Sequence, residues 1–385
     1  MTGGQRPVAE VAVVGGGAIG CAAALFLLRE RPDLDVVVFE PDPTYRDAAT
    51  PRASGGVRQL FTRPENILLS RYTLDFLRDW PDVGWTPRGY LFIAGPDGAG
   101  TLRANLDVQR AHGVRAEWLD PAALAARYPD LATADLGGAV LSPDDGWLDP
   151  SALLGTLRRA AAGLGARFVR DRVTRLDVTG TRVTRLELAS GGALRPDAVV
   201  NAAGLGAAQL ARQAGMPVPV EPLCRFEHHV EYGGGGGLAG LPFLKDPAGL
   251  AIRPDGAGLS VGLVDFDRPG GADPARGREY FDTVVWPALA HRMPRLDRLR
   301  HRASSVGWYD LNRLDGNAIV GNWPGHVDNL YLACGFSGHG LMHAPGIGRA
   351  LAELVVHGRY RTLDLTRLGY PRIAASSPYP ELGIR

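Results

Sequence analysis

The stretch Val11-Ala-Val-Val-Gly15-Gly16-Gly17-Ala18-Ile19-Gly20 constrains this chain more than any other. Four apolar, mostly β-branched residues predict a buried strand, and Gly15, Gly17 and Gly20 predict a tight turn into an apolar helix over 21–28. Such a turn lets backbone amides at a helix N-terminus approach a pyrophosphate. Asp35-Val-Val-Val-Phe-Glu40 reads as a second buried, parallel strand. Its closing Glu40 falls about 20 residues beyond the last fingerprint glycine, where a carboxylate would bond ribose hydroxyls. Strand, glycines, helix and acid together predict a dinucleotide site built from Gly15, Gly17, Ala18, Ile19, Gly20 and Glu40.

Composition narrows the class of protein. A chain of 385 residues supports about two to three domains' worth of core, and 45% hydrophobic with 22% charged residues is ordinary globular usage. The net charge of +1 offers no electrostatic case for nucleic acid or an anionic membrane. Lys245 is the only lysine among the basic residues, a bias of base composition and not a binding patch. Cys21, Cys224 and Cys334 are widely spaced within apolar patterns, which predicts buried free thiols and a reducing cytoplasm. Arg6 before an apolar run imitates an export signal, but the strand, glycines and helix account for that hydrophobicity. No other run is long and apolar enough to predict a membrane span.

Along the chain, helix-and-strand segments alternate with strand-rich ones, which predicts two interleaved domains. Helices are expected over 64–80, from Asp149-Pro150-Ser151 to about 162, over 281–299 and over 344–356; strands over 89–94, 167–176, 182–188, 198–204 and 330–334. Leu223 to Leu263 reads as β-like, interrupted by Gly233 to Gly237, either a flexible connection or a mobile lid. The segment beyond Leu365 is Pro- and Ser-rich with little pattern.

Four further motifs, taken with the fingerprint, resemble the D-amino-acid oxidase superfamily of FAD enzymes, which holds sarcosine, glycine and dimethylglycine oxidoreductases. The nearest branch is that of the FAD-dependent oxidoreductase domain-containing proteins. Arg52-Ala53-Ser54-Gly55-Gly56-Val57-Arg58-Gln59 resembles the family's loop against the isoalloxazine ring, where Arg58 would favour the anionic reduced flavin. Asp171-Arg172-Val173 matches a segment whose valine backbone bonds the adenine. Val200-Asn-Ala202-Ala203-Gly204 is similar to the segment packed near the FAD pyrophosphate. Gly335-Phe336-Ser337-Gly338-His339-Gly340-Leu341 resembles the loop whose amides face the flavin's pyrimidine edge. His339 and His343 stand four apart, but no third ligand is apparent and the family needs no metal.

The resemblance implies an α/β protein: a Rossmann-type FAD domain (7–84, 150–222 and 315–365) interleaved with a mixed-sheet substrate domain (85–149 and 223–314), then a tail over 366–385. It implies oxidation of a C–N bond in a small amine or amino acid, a secondary amine or a cyclic or N-methyl amino acid, by hydride transfer to flavin N5 to give an imine. The chain carries no second strand–glycine–helix fingerprint for a nicotinamide cofactor, so the electrons are expected to come from the organic substrate.

Departures from the family pattern are as informative. The carboxylate-holding Arg and Lys of sarcosine oxidases are matched here by Phe61 and Met342, which makes Arg253 the first replacement candidate beside a surface-arginine reading. Ser260 matches their oxygen-activating Lys, which leaves Arg58 or His339 to supply positive charge and tilts the expectation towards a dehydrogenase; the acceptor is oxygen or another carrier. Their flavin-linking Cys has no counterpart, since the matching stretch is Gly307-Trp308-Tyr309, so FAD is expected to be non-covalent. Trp308, Tyr309, His228 and Tyr90 are candidate pocket walls or core. The rival readings are a 2-hydroxyacid oxidoreductase, which needs a base for the hydroxyl proton, and a flavin-binding assembly protein with little turnover.

Overall fold

A computed structural model describes residues 10–233, 238–267, 274–296 and 299–383. The Gly233–Gly237 segment falls almost wholly outside them. The chain divides into two compact units: Met1–Pro51, Pro150–Glu221 and Asp310–Pro380 form one, and Arg52–Asp149, Pro222–Tyr309 and Glu381–Arg385 the other.

The first unit is built on a six-stranded sheet in the order Ile319–Trp323, Val327–Cys334, Ala198–Asn201, Glu10–Val14, Asp35–Phe39, Arg167–Val169. Five strands run parallel and Ile319–Trp323 is an antiparallel edge. The central strands are continuously buried, as parallel strands covered on both faces must be. Helix Ala18–Glu30 packs against helix Gly340–His357. A Cβ at Gly348 would lie 2.6 Å from the Ala22 carbonyl carbon, so this crossing depends on two small residues. A three-stranded sheet, Ala193–Leu194, Arg182–Leu188 and Val173–Thr179, completes the unit.

The second unit carries an eight-stranded mixed sheet in the order Leu299–Asn312, Val220–Tyr232, Gly258–Leu263, Leu250–Asp255, Phe243–Lys245, Tyr90–Ala94, Gly138–Ser142, Glu117–Leu119. Alternation gives it two unlike faces. Leu91, Ile93, Leu141, Phe226, Leu244, Ile252, Leu259 and Val261 form one side and pack into a core with Phe281, Val285 and Leu289. Their neighbours Tyr90, Phe92, Phe243, Lys245, Arg253, Ser260, Glu227 and Arg225 occupy the other.

Two expectations need correction. The strand read over 167–176 is two strands, Arg167–Val169 and Val173–Thr179, in different sheets. Between them Asp171 bonds the Ser190 backbone and hydroxyl, which turns the chain. The helix read over 281–299 includes a π-helical turn at Phe281–Val285 and ends at Arg292; Pro294 follows, and a residue before proline leaves the helical region. The segment after Leu365 is ordered. Arg372 pairs with Asp315 at 2.9 Å, and Glu381 accepts hydrogen bonds from the Thr62 and Arg63 amides and the Asn66 side chain, at the start of helix Pro64–Arg78.

Candidate functional site

In the first unit the fingerprint turn is locked by its glycines. Gly15 has φ +102°, and a Cβ there would lie 2.3 Å from the Ala202 carbonyl oxygen. A Cβ at Gly20 would lie 1.8 Å from the Gly15 carbonyl. Both glycines are therefore demanded by the fold itself. Gly17 differs: its φ of −67° suits any residue, and a Cβ would meet only the Thr50 hydroxyl at 3.5 Å. No described residue demands glycine there, which leaves the turn open to the close approach of a ligand.

Helix Ala18–Glu30 begins without a side-chain cap or an acidic residue in its first turn; the Ala18 amide bonds Thr50. An uncapped N-terminus of this kind can receive an anion. Glu40 accepts the Gly16 amide at 2.9 Å and the Asp42 amide at 3.0 Å. Each carboxylate oxygen retains acceptor capacity, so Glu40 shapes the loop and can still bond a hydroxyl. Ala202, whose amide bonds Val14, closes the turn from the next strand; Ala203 and Gly204, at φ +54°, begin the exit. Val173 opens its strand with a buried side chain.

The loop Gly335–Leu341 of the same unit is held by two residues that sequence reasoning missed. Asp310 accepts the Gly335 amide on Oδ2 at 2.7 Å, and its carbonyl accepts the Ser337 amide. The Asn312 amide donates to Ser337 Oγ at 3.1 Å. These bonds hold Ser337 at φ 52°, beside Gly335 at 70° and Gly338 at 97°. His339, whose amide bonds the Phe336 carbonyl, stands at the N-terminus of helix Gly340–His357, into which Leu341 is buried. Burial pushes the Asp310 carboxyl up to about 6 despite the amides it accepts.

In the second unit the loop from Arg52 is stapled at both ends. The Arg52 guanidinium donates to the Val306 carbonyl at 2.6 Å, and the Arg52 carbonyl accepts Arg225 at 2.7 Å. Ala53 and Ser54 lead into Gly55, at φ +82°, where a Cβ would lie 2.1 Å from the Leu148 carbonyl oxygen. Gly56 pairs with Trp147 and lies close over Phe243 and Tyr90. Gln59 donates twice to Asp145, from its amide at 2.9 Å and its side chain at 2.8 Å. Burial raises that carboxyl to about 7.

Arg58 is buried. It donates to the Leu60 carbonyl at 2.7 Å and lies 3.9 Å over the Phe61 ring and 4.9 Å over Phe92. On the same sheet face, Arg225 and Glu227 form a buried ion pair at 2.5 Å, and Ser260 donates to Glu227. Burial penalises the Glu227 carboxylate, yet Arg225 and Ser260 hold it below its usual range. Arg253 bonds the Pro254 carbonyl at 3.1 Å and lies 3.5 Å from Asp255, while its Nε is buried with no hydrogen-bond acceptor. Tyr90 stacks on Phe243 at 4.5 Å, and Tyr309 lies beneath the Arg225 guanidinium at 5.6 Å.

Two of the candidate pocket walls belong to the opposite side. Trp308 packs against the apolar core. His228 lies among Phe226, Tyr280 and Phe281 with Nδ1 on the Ser304 hydroxyl at 2.8 Å, and burial pushes its imidazole down to about 4. Strand alternation carries both side chains away from the charged face. Among the described residues no cluster of His, Cys, Asp and Glu could hold a metal ion; the His339 and His343 rings are 6.1 Å apart. Nor is any described helix long and apolar enough to cross a membrane.

The first unit thus fits a dinucleotide: a glycine turn with room left at Gly17, an uncapped helix start and a carboxylate at the end of the second strand. Comparison with known proteins agrees. A family model described as FAD dependent oxidoreductase matches residues 10–354. FAD-dependent oxidoreductase domain-containing protein 1 of Xenopus laevis is 34% identical, over 98% of this chain and 85% of its own length. Mitochondrial sarcosine dehydrogenase of Mus musculus is 28% identical over 91% of this chain and 40% of its own length. The crystal structure of glycine oxidase from Geobacillus kaustophilus superposes with a TM-score of 0.77 at 25% identity, covering 94% of this chain and 99% of that one. The chain belongs to the FAD dependent oxidoreductase family, with FAD as its cofactor.

Proposed function

We propose that this protein oxidises a C–N bond of an amino acid or related secondary amine. Sarcosine dehydrogenase and glycine oxidase, to which it is similar, carry amino-acid substrates in their names. The observation that carries the reading is the charged face of the eight-stranded sheet, which carries buried Arg225, Glu227 and Ser260 as well as Tyr90 and Phe92, with buried Arg58 lying over Phe92. A buried face with this much charge suits a small ionic substrate and not an apolar one.

The unit containing the fingerprint is the FAD-binding domain in this reading, and the unit containing the eight-stranded sheet is the substrate domain. Gly15, Gly17, Ala18, Ile19, Gly20, Ala202, Ala203 and Gly204 hold the pyrophosphate side, Glu40 the ribose and the Val173 backbone the adenine. Arg52 to Gly56 and Gly335 to Leu341 line the flavin. When bound, the flavin accepts the hydride released by the substrate. The protein's own task is to orient the amine and to place positive charge, from Arg58 and His339, where reduction makes the ring negative.

No cysteine stands at the 307–309 stretch, which supports non-covalent FAD. The buried Cys21, Cys224 and Cys334, none of them in a disulfide, support a reducing, cytoplasmic setting. The acceptor is proposed to be a carrier other than oxygen, because Ser260 is occupied in bonding Glu227 and brings no positive charge. A 2-hydroxyacid substrate would need a base for its hydroxyl proton; His228 is committed to Ser304 on the core side and His229 to Asp255 at 2.9 Å.

The test is an anaerobic screen of the yellow holoenzyme against N-methyl and cyclic amino acids and their 2-hydroxy counterparts. Bleaching by an amino acid but not by its hydroxy counterpart is expected. Bleaching by hydroxy acids alone would replace this reading with its rival, and bleaching by neither would favour the assembly role.

A further inference from the structure

The start of the Arg52–Gly56 loop is clasped from two strands of the eight-stranded sheet. Arg225, on strand Val220–Tyr232, offers one terminal nitrogen to two acceptors: the Arg52 carbonyl at 2.7 Å and the Glu227 carboxylate at 2.5 Å. That nitrogen carries two hydrogens, so the carboxylate that takes one of them turns the other towards the loop. Glu227 is fixed in turn by the Ser260 hydroxyl from the neighbouring strand Gly258–Leu263. Burial opposes its charge, yet Arg225 and Ser260 keep it ionised. The second strand, Leu299–Asn312, completes the clasp: its Val306 carbonyl accepts the Arg52 guanidinium at 2.6 Å, and its Gly307 leaves the space in which Arg52 and Arg225 meet. A Cβ at Gly307 would lie 3.3 Å from the Arg52 carbonyl oxygen and 3.4 Å from Arg225 Nε.

Stability does not account for this buried ion pair. Two apolar side chains of similar volume fill such a site as well or better, because removing both charges from water costs about as much as their attraction regains. An apolar pair cannot, however, hold a carbonyl by a charge-assisted hydrogen bond. We propose that Glu227 and Arg225 are positioning residues for the flavin: Glu227 orients the Arg225 guanidinium, which fixes the Arg52 carbonyl and with it the course of the loop through Gly56. This rests on the reading above that Arg52 to Gly56 line the flavin, and it adds the device that sets the loop in place. Ser260 anchors the far end of the same chain of bonds, so its hydroxyl serves the loop through Glu227.

The test compares holoenzymes by spectroelectrochemical titration, with FAD content and melting temperature reporting whether each variant is folded. In Arg225→Met/Glu227→Met the apolar pair should keep the melting temperature close to that of the wild type. The flavin reduction potential should nevertheless fall, because the loop leads on to Arg58, whose charge favours the reduced ring. The expected fall is about 30 mV or more, which for a two-electron couple is a tenfold change in the ratio of affinities for reduced and oxidised flavin. Arg225→Lys keeps a charged donor and should recover part of the shift. Should the double variant not fold, Glu227→Gln serves instead: it preserves shape but removes the charge that orients Arg225, and should lower the potential in the same direction. A wild-type potential in the folded double variant or in Glu227→Gln would overturn the proposal, and so would a Lys variant shifted as far as the double variant. Ala53→Val, which adds bulk within the loop and alters no charge, separates this proposal from the reading it rests on. If Ala53→Val moves the potential and the pair variants do not, the positioning role fails and the flavin-lining loop stands. If neither moves it, the loop does not line the flavin and both fail.

Discussion

Gly17 separates two demands that a glycine motif usually merges. Gly15 and Gly20 are needed by the backbone, whereas a methyl group at Gly17 fits the protein. Gly17→Ala should therefore fold with an unchanged apoprotein melting temperature and fail to retain FAD; purification with stoichiometric flavin would remove the fingerprint from the binding site. His228 makes a second, independent prediction. Its imidazole is held at about 4, by burial first and by His301 second. The unfolded chain titrates near 6.5, so between about pH 6.5 and 4 it binds a proton that the folded protein refuses. Stability should fall as pH falls through that window, by up to roughly 3 kcal/mol. Urea unfolding of wild type and His228→Leu across this range checks it: the variant should lose most of the acid slope, and an equal slope would contradict the assignment.

At the scale of elements, the C-terminal segment fastens the start of helix Pro64–Arg78. Glu381 accepts the Thr62 amide and hydroxyl at 2.5 Å and the Asn66 side chain at 2.6 Å, and its charge suits a helix N-terminus. Glu381→Ala should cost about 1–3 kcal/mol, read as a lower urea midpoint; an unchanged midpoint would show that the contact carries no stability. The loop Gly335–Leu341 depends likewise on a residue outside it. Asp310→Ala frees the Gly335 amide and should change the flavin reduction potential more than FAD affinity, which a spectroelectrochemical titration measures. These elements also mark what sequence can convey. Strand Glu10–Val14, its glycines and Glu40 form a local pattern of apolar run, turn and acid, and were legible from spacing. Asp310 and Glu227 were not, because their meaning comes from tertiary contacts: Asp310 matters through Gly335 and Glu227 through Ser260, 33 residues later. Helix Pro96–Ala111 went unread for another reason, since its few buried positions Leu102, Asn105, Leu106 and Gln109 make a weak stripe.

On the scale of the whole molecule, one unit carries the family's nucleotide fingerprint and the other a sheet with an apolar side and a charged side. The charged side lacks a lysine at position 260, where Ser260 bonds Glu227. Reduced protein is therefore expected to react slowly with oxygen and faster with a dye or quinone, as stopped-flow mixing would show; fast reoxidation by oxygen would make it an oxidase. Ser260→Lys should help less than a lone charge would, because Glu227 neutralises the incoming ammonium. The central claim, that FAD here takes electrons from a C–N bond, is tested most directly by product analysis in a single anaerobic turnover. An acyclic amino acid that bleaches the flavin should yield one equivalent of oxo product and one equivalent of released ammonia, amine or amino acid per flavin reduced, and a cyclic one should yield one equivalent of cyclic imine or its ring-opened form. Bleaching that leaves the substrate's C–N bond unoxidised would contradict it.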